Sequence, residues 1–173
     1  MKKILSTAFI LVSFSLMIIG CTGPTGPQGN ANVQSDNITV SNSNWTLTTS
    51  SPWEYSVTIN DPKITQDIVD NGMVLVYISN GSGGWQLLPT IGYTTGTSGG
   101  YIYDLEWKYS PVYSTGAVTI WYYIVTDPTT WVPNNPGAQT FKIVAVAGLT
   151  KASYPNVDWN NYNEVKQALH LQD

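Results

Sequence analysis

The sequence has few of the side chains that usually carry chemistry. Its 173 residues include one cysteine, one histidine and no arginine, and only 10% of them are charged, against the roughly 25% usual in soluble proteins. Zinc binding by clusters of histidine and cysteine is therefore excluded. A net charge of −4 without arginine argues against nucleic-acid binding, which needs a basic surface, and equally against a polybasic membrane patch.

The single cysteine, Cys21, follows an apolar N-terminal segment. Two lysines precede an apolar run from Ile4 to Ile19, and Gly20 follows it. A positive start, an apolar run and small residues at the cleavage point are typical of a secretory signal peptide. A transmembrane anchor is the weaker alternative, because about 20 apolar residues are needed to span a bilayer core. The position of Cys21 resembles a bacterial lipobox, which implies that residues 1–20 are removed and that Cys21 carries lipid.

Lipidation of Cys21 would place the protein in the cell envelope and leave the mature chain without a thiol for disulfides, redox chemistry or metal binding. Thr22 follows the cysteine, where aspartate would favour inner-membrane retention in enteric bacteria. We therefore expect an outer-membrane lipoprotein, anchored through Cys21, on the periplasmic or the cell-surface face.

Residues 21–32 form a short tether. Glycine recurs at positions 23, 26 and 29, and proline follows the first two of these glycines. This is the Gly-X-Y period of collagen, but so few triplets cannot sustain a triple helix alone. We interpret the segment as a semi-extended spacer with a reach on the order of 30 Å. The predicted organisation is a signal peptide at 1–20, the tether at 21–32 and one domain at 33–173.

The tether ends in Gly29 to Val33 and leads into a chain rich in serine, threonine and asparagine. Together with the lipobox, this arrangement resembles the collagen-like lipoproteins of Bacteroidetes. The resemblance extends to Ile68–Gly72, which leads into an apolar strand, and to Asn161–Lys166 near the C-terminus. It implies an envelope location and assigns no chemistry, cofactor or catalytic residue.

Alternating apolar and polar residues predict β-strands through most of the domain. Trp53–Asn60 and Tyr101–Tyr109 alternate most regularly, whereas Met73–Ile78 is apolar on both faces and therefore predicts a central strand covered on both sides. Further strands are predicted at 37–41, 85–91, 117–126 and 140–147, turns at 80–84 and 94–100, and a long loop at 127–137. We predict a mainly β fold, a two-sheet antiparallel β-sandwich.

Two segments favour helix instead. Residues 64–69 fit one to two turns. Residues 161–171 place Tyr162, Val165, Ala168 and Leu169 on one face, and Asn161 with Glu164 has the spacing of a capping box. We predict a short C-terminal amphipathic helix docked on the sandwich.

No arrangement of residues favours catalysis. Asp104 and Glu106 share one strand face at the spacing of about 7 Å that strand geometry gives, and paired carboxylates could serve glycoside hydrolysis. Lys108 continues the same face, however, and such a charged row is typical of a solvated strand. A Ser-His-Asp unit would depend on His170 alone, and the chain contains no Gly-x-Ser-x-Gly motif. We therefore expect a protein that is not an enzyme and has no cofactor.

Calcium is the metal ion whose binding the sequence leaves possible. Asp61, Asp67 and Asp70 are the loop carboxylates that could bind it, but their spacing does not match a known calcium loop.

Aromatic residues are abundant, with seven tryptophans and eleven tyrosines. Exposed, coplanar aromatic rings are how β-sandwich modules stack on sugars, and the candidate stacking residues are Trp45, Trp85, Trp121 and Trp131. The competing interpretation is that these rings fill the core and the surface beneath the C-terminal helix. The sequence therefore predicts a non-enzymatic structural or protein-interaction role in the envelope, with carbohydrate binding as the alternative.

Overall fold

The computed structural model describes residues 33–127, 129–148 and 154–171, so Cys21 and the predicted tether lie outside the described residues.

Strands form two antiparallel sheets. The four-stranded sheet has the order β1-β9-β4-β5, with β1 at Val33–Val40, β9 at Gln139–Val146, β4 at Met73–Ser79 and β5 at Trp85–Leu87. The five-stranded sheet has the order β2-β3-β8-β7-β6, with β2 at Thr46–Leu47, β3 at Glu54–Asn60, β8 at Ala117–Ile124, β7 at Tyr101–Ser114 and β6 at Thr90–Ser98. A 3-10 turn at Asn42–Asn44 and two helices, α1 at Gln66–Asn71 and α2 at Tyr162–Leu169, complete the elements.

The predicted two-sheet sandwich is confirmed. The inward faces of the two sheets enclose one core, formed mainly by alternate residues of the central strands, among them Val57, Val76, Ile120, Phe141 and Ile143. Alternation places these side chains on one face of each strand. Burial of this apolar surface is the main force that holds the sheets together.

A second core lies on the outer face of the four-stranded sheet. Leu75 and Tyr77 of β4 and Val144 of β9 pack there against Val165 and other apolar residues of the C-terminal segment. The prediction that β4 is covered on both sides is therefore confirmed, since the other sheet covers one face and α2 the other.

Helix α2 forms where the sequence predicts it. The Asn161 side chain accepts a hydrogen bond from the amide of Asn163 at 3.1 Å, which caps the first turn. Glu164 accepts hydrogen bonds from the Asn161 side-chain amide and from the backbone of Asp158, so the capping box reaches one turn further back than expected. The helix ends at His170, whose φ of 54° is left-handed.

The prediction for residues 85–100 is wrong in two respects. The expected single strand from Trp85 to Ile91 is two strands, because the chain leaves the four-stranded sheet after Leu87 and enters the other sheet at Thr90. Pro89, which cannot donate a ladder hydrogen bond, lies between them. The expected turn at 94–100 is mostly strand β6, and only Gly99 and Gly100, both with positive φ, form the turn.

Smaller differences concern strand and helix ends. β1 begins four residues earlier than predicted, β7 continues to Ser114, and α1 begins at Gln66, where Thr65 caps it through a hydrogen bond to the amide of Ile68. Within the described residues, no helix has the length and apolar character needed to cross a membrane.

The two ends of the sandwich carry different connections. Val33, Val146 and Met73 are in register at one end of the four-stranded sheet, and Val40 with Gln139 lies at the other. We call these the Val33 end and the Gln139 end.

The five-stranded sheet has the same two ends. The amide of Asp61, which follows β3, donates to the backbone oxygen of Gly116 in the β7–β8 turn. Helix α1 connects the same end of β3 to Met73, so the β7–β8 turn lies at the Val33 end. The β6–β7 turn therefore points in the opposite direction. β7 pairs with β8 from Trp107 onward, and the backbone of Glu106 still bonds to Val125 and Thr126. Residues 101–105 therefore form a two-stranded arm with β6 that extends at the Gln139 end.

Candidate binding groove

The four tryptophans predicted to stack on a ligand lie in four different environments. Trp45 is 6% exposed and belongs to the inter-sheet core. Its indole N–H donates to the backbone oxygen of Gly137 at 2.9 Å, and its ring packs near Phe141. The prediction that Trp45 is a ligand-stacking residue is therefore wrong, because both its ring and its polar atom are used within the fold.

Trp85 packs against the C-terminal helix. It lies on the outer face of the four-stranded sheet, with its ring centroid 6.0 Å from that of Tyr162 in α2. The Nζ of Lys142 lies 5.0 Å from the Trp85 ring centroid and 4.8 Å from that of Tyr162, and donates to the Tyr162 hydroxyl. Lys142 is only 1% exposed, so these rings surround a buried cation. Trp85 itself is only half-buried, and it lines a cleft of about 410 Å³ together with Asn161 and Tyr162. Its predicted role in stacking on a ligand therefore stays a prediction.

Trp121 and Trp131 remain accessible. Trp121 is half-buried on the outer face of the five-stranded sheet, where Ser110 and Ser56 are its cross-strand neighbours. Trp131 belongs to the β8–β9 loop, residues 125–138, of which Pro128 is not described. Its ring centroid lies 5.5 Å from that of Tyr103. The two tryptophans lie on opposite faces of the sheet, so they do not form one stacking surface.

A groove lies between the inner face of the five-stranded sheet and the β8–β9 loop. It consists of two adjoining clefts of about 380 Å³ and 420 Å³, each within the usual range for small-ligand sites. Trp107, Tyr122 and Asn134 line both clefts. We call this feature the inter-sheet groove. It exists because β5 has three residues, so the four-stranded sheet does not cover the inner face of β6 and β7.

The floor of the groove is an aromatic cluster. Trp107 and Tyr122 lie on neighbouring strands with ring centroids 6.2 Å apart and planes inclined by 47°. Tyr109 lies beneath them, 4.7 Å from Tyr122. Burial, followed by the neighbouring Tyr122, raises the pKa of Tyr109 above its usual value, and burial also raises the pKa of Tyr122. Both hydroxyls therefore stay neutral, and the floor carries no charge at physiological pH.

Two glycines of β6 explain how the indole rings fit. A Cβ at Gly92 would lie 2.1 Å from the Trp107 ring, and a Cβ at Gly96 would lie 2.8 Å from the Trp131 ring. The first indole therefore lies directly on the backbone of β6, and the second reaches the same strand from the loop. An isolated glycine in a strand often marks such a close approach.

Carboxamides form much of the rim. Asn80, Gln86, Asn134, Asn135 and Gln139 line the first cleft. Some of these groups are used internally, because Asn135 donates to the backbone of Asn42 and Gln139 donates to that of Pro136. Within the described residues, no hydrogen bond is formed by the amide of Asn134 or by the side-chain oxygens of Gln86 and Gln139, so these groups face the groove or solvent.

The loop that forms the outer wall is joined to β7 at its start, where the amide of Val125 donates to the backbone oxygen of Glu106, and it then folds on itself around Asp127. The carboxylate of Asp127 accepts hydrogen bonds from the amides of Thr129 and Thr130 and from the Thr129 hydroxyl. These hydrogen bonds lower the pKa of Asp127, those from Thr130 most. The backbone oxygen of Asp127 accepts from the amide of Trp131 at 3.0 Å. At the other end of the loop, Trp45 and Asn135 join it to the core and to the 3-10 turn.

Trp107 and Tyr122, the residues that form the floor, were not among the predicted site residues. Both lie in segments with regular strand alternation, where inward-facing aromatic residues are normally core. The signal that could have identified them was the pair of glycines Gly92 and Gly96. Gly96 falls within the turn predicted at 94–100, and Gly92 lies between that turn and the strand predicted at 85–91.

The other chemical candidates do not come together. Asp104 and Glu106 lie on the outer face of β7, as predicted, and His170 is exposed at the C-terminus of α2. Asp61 accepts from the amide of Lys63, while Asp67 and Asp70 accept from side chains of α1 itself. Across residues 33–127, 129–148 and 154–171, no group of three or more His, Cys, Asp or Glu side chains could hold a metal ion.

Comparisons of the chain with protein-family models, with curated proteins and with solved structures gave no match.

Proposed function

We propose that this protein is a non-catalytic, lipid-anchored binding module of the cell envelope that binds a neutral carbohydrate in the inter-sheet groove. The observation that supports the proposal most strongly is the lining of the groove, in which aromatic rings meet carboxamides and no charged residue takes part. The apolar face of a sugar ring packs on an aromatic surface. Its hydroxyl groups need partners that both donate and accept, and carboxamides do both.

The neutral lining also favours an uncharged ligand. An anionic group would bury its charge without a cationic partner, which is costly. The buried Lys142 of β9 does not reach the groove, because its side chain lies on the outer face of the four-stranded sheet and contacts Tyr162 of α2. A neutral glycan with at least two adjacent hydroxyl groups fits the arrangement of Gln86, Asn134 and Gln139 best.

The position of the groove suits an anchored protein. The predicted tether joins the domain at Val33, whereas the groove opens at the Gln139 end, on the opposite side of the sandwich. A lipid on Cys21 would therefore hold the domain with the groove directed away from the membrane.

Binding is tested with residues 21–173 carrying Cys21→Ser, which retains every residue of both cores. A glycan array identifies neutral ligands, and calorimetry measures their affinity. Trp107→Ala, Trp131→Ala and Asn134→Ala should each weaken binding by roughly tenfold, equivalent to about 1.4 kcal/mol. Trp121→Ala is the matched control, since it removes an accessible indole on the other face of the same sheet and should leave affinity unchanged.

Two results would contradict the proposal. One is that no glycan binds the folded domain. The other is that Trp121→Ala weakens binding as much as Trp131→Ala, because the ligand would then occupy the outer face.

A structural or protein-interaction role is the second candidate. It is supported by the tip of the β6–β7 arm, where Tyr101 and Ile102 are 71% and 75% exposed. Adjacent exposed apolar residues at the end of a projecting arm are typical of a contact site. If this role is correct, Tyr101→Ser with Ile102→Ser should remove in-cell cross-links between the protein and an envelope partner and leave glycan affinity unchanged. Unchanged cross-links would exclude the tip as the contact.

Lipidation is tested separately. Cys21→Ser should release the protein from the membrane fraction and abolish labelling with a palmitate analogue. Retention of both in the variant would show that Cys21 is not the anchor.

A further inference from the structure

Strand β6 is an open sheet edge. Its nine residues pair with β7 on one side. Within the described residues, no backbone hydrogen bond joins positions 91–98 to any other segment. An unpaired row of backbone donors and acceptors is a template for another strand.

The other sheet edges are protected in the ways that natural proteins use. β2 has two residues and β5 has three, which is too short to pair stably. β1 is eight residues long, but it carries Asp36, whose carboxylate forms an ion pair with Lys63 at 2.7 Å. β6 is one residue longer than β1, contains no charged residue and no proline, and exposes Tyr93 by 71%. Among the edge strands of the described residues, it is the one protected by neither short length, charge nor proline.

We propose that β6 pairs in antiparallel orientation with β6 of a second copy of this chain, around a two-fold axis at Thr94. Thr94 is the middle residue of the strand, so this register pairs all nine positions. Two-fold dimers are the commonest homo-oligomers, and strand addition joins two sheets through backbone hydrogen bonds.

A second copy fits this edge because the strand is complementary to itself. The register places Tyr93 beside Thr95 of the copy on the outer face, and aromatic rings pack well against β-branched residues across strands. The two Tyr93 rings become diagonal neighbours. On the inner face, Gly92 lies opposite Gly96, so the indole rings that cover these glycines are not displaced. No like charges face each other, because β6 has none.

The first test measures the mass of residues 21–173 carrying Cys21→Ser by sedimentation across the micromolar range. We expect a monomer–dimer equilibrium. Thr95→Lys places two lysines diagonally across the two-fold axis and should shift the equilibrium constant toward the monomer by at least roughly tenfold. Val112→Lys is the matched control, because Val112 is exposed on the same sheet face but lies beyond the paired part of β6. It should dimerise like the parent chain.

The second test locates the axis by disulfide trapping in the Cys21→Ser chain, which has no other thiol. Directly opposite Cα atoms lie about 4.5–5.5 Å apart, within the range of a disulfide, so Thr94→Cys should form a disulfide-linked dimer on oxidation. Thr97→Cys should not, because its counterpart would lie about 20 Å away along the strand.

Any of three results would overturn the proposal. The first is that the parent chain remains monomeric at every concentration. The second is that Thr95→Lys dimerises as well as the parent, with an unchanged melting temperature showing that the variant is folded. The third is that Thr97→Cys cross-links more readily than Thr94→Cys. None of these results bears on glycan binding, which is measured independently.

Discussion

The outer faces of the two sheets differ in what covers them. On the four-stranded sheet, Leu75, Tyr77 and Val144 lie beneath α2 and are buried. On the five-stranded sheet, Tyr93, Trp121 and Tyr123 occupy equivalent outward positions and remain at least partly exposed. Both faces therefore carry large aromatic rings on central or edge strands, but only one of them has become a core.

This difference shows that aromatic content alone does not separate core from surface. Trp85 and Trp121 are both outward-facing, half-buried tryptophans on strands, and the C-terminal segment packs against Trp85 only. The C-terminal segment also changes the surroundings of the charged side chains beneath it. Lys142 is enclosed by rings on the covered face, whereas Lys108 lies among solvent-accessible residues on the open face.

The largest expected effect is on the covered face. Leu169→Ala should destabilise the protein by roughly 2–5 kcal/mol, because it removes a buried side chain and leaves a cavity. This should lower the melting temperature by several degrees. Gln167→Ala, on the exposed face of α2, should change it little. Equal melting temperatures for both variants and for a chain that ends at Asn160 would show that the helix is not docked.

A smaller loss of stability is expected when a single hydroxyl group is removed from the covered face rather than from the open face. Tyr162→Phe removes the hydroxyl that accepts from Lys142 and should cost roughly 1–3 kcal/mol, because a buried ammonium group loses one of its hydrogen bonds. Tyr123→Phe makes the same change on the open face and should stay within about 0.5 kcal/mol of the parent. Urea denaturation measures both free energies of unfolding. Equal losses would mean that the buried lysine does not depend on this hydroxyl.

The smallest effect concerns the groove wall. The pKa of Asp127 is lowered in the folded protein by the hydrogen bonds from Thr130 and Thr129. The ionised form therefore holds the loop at pH values above the unfolded pKa of about 4, and this contribution is lost as the pH falls through the lower folded value. The indole N–H resonance of Trp131, assigned with Trp131→Phe, should shift in this acid range.

Asp127→Asn is the control for this titration, because the amide keeps an oxygen that can accept the same hydrogen bonds. The acid-induced shift should disappear in this variant. If it persists, another group is responsible for the titration.

The sequence predicted most of the fold because the fold follows local patterns. Trp53–Asn60 alternates with a period of two, and the 161–171 segment has helical spacing, a cap and one apolar face, so each element is specified by its own residues. The buried apolar run of β4 indicated cover on both sides before its partners were known. These signals need no knowledge of distant residues.

The groove could not be predicted in the same way, because it depends on contacts between distant segments. Gly96 has turn chemistry when considered alone, and only the approach of Trp131, 35 positions later in the chain, explains it. Trp107 and Tyr122 have the pattern of core residues, and they are accessible only because β5 ends early. Trp45 shows the converse, since its polar surroundings in sequence gave no sign that its ring enters the core.

The floor and the wall of the inter-sheet groove belong to different parts of the chain. The floor is fixed by neighbouring strands and by the two glycines of β6, whereas most of the wall is one loop. Hydrogen bonds at its ends and the packing of Trp131 on Tyr103 join this loop to the rest of the fold. Residues 129–134 belong to neither core, so substitutions there would alter the lining of the groove and leave the residues of both cores unchanged. Loops positioned by a rigid scaffold are where binding specificity commonly diversifies. If the proposed glycan binding is correct, a library of loop variants on this scaffold would change ligand choice while the aromatic floor stays constant.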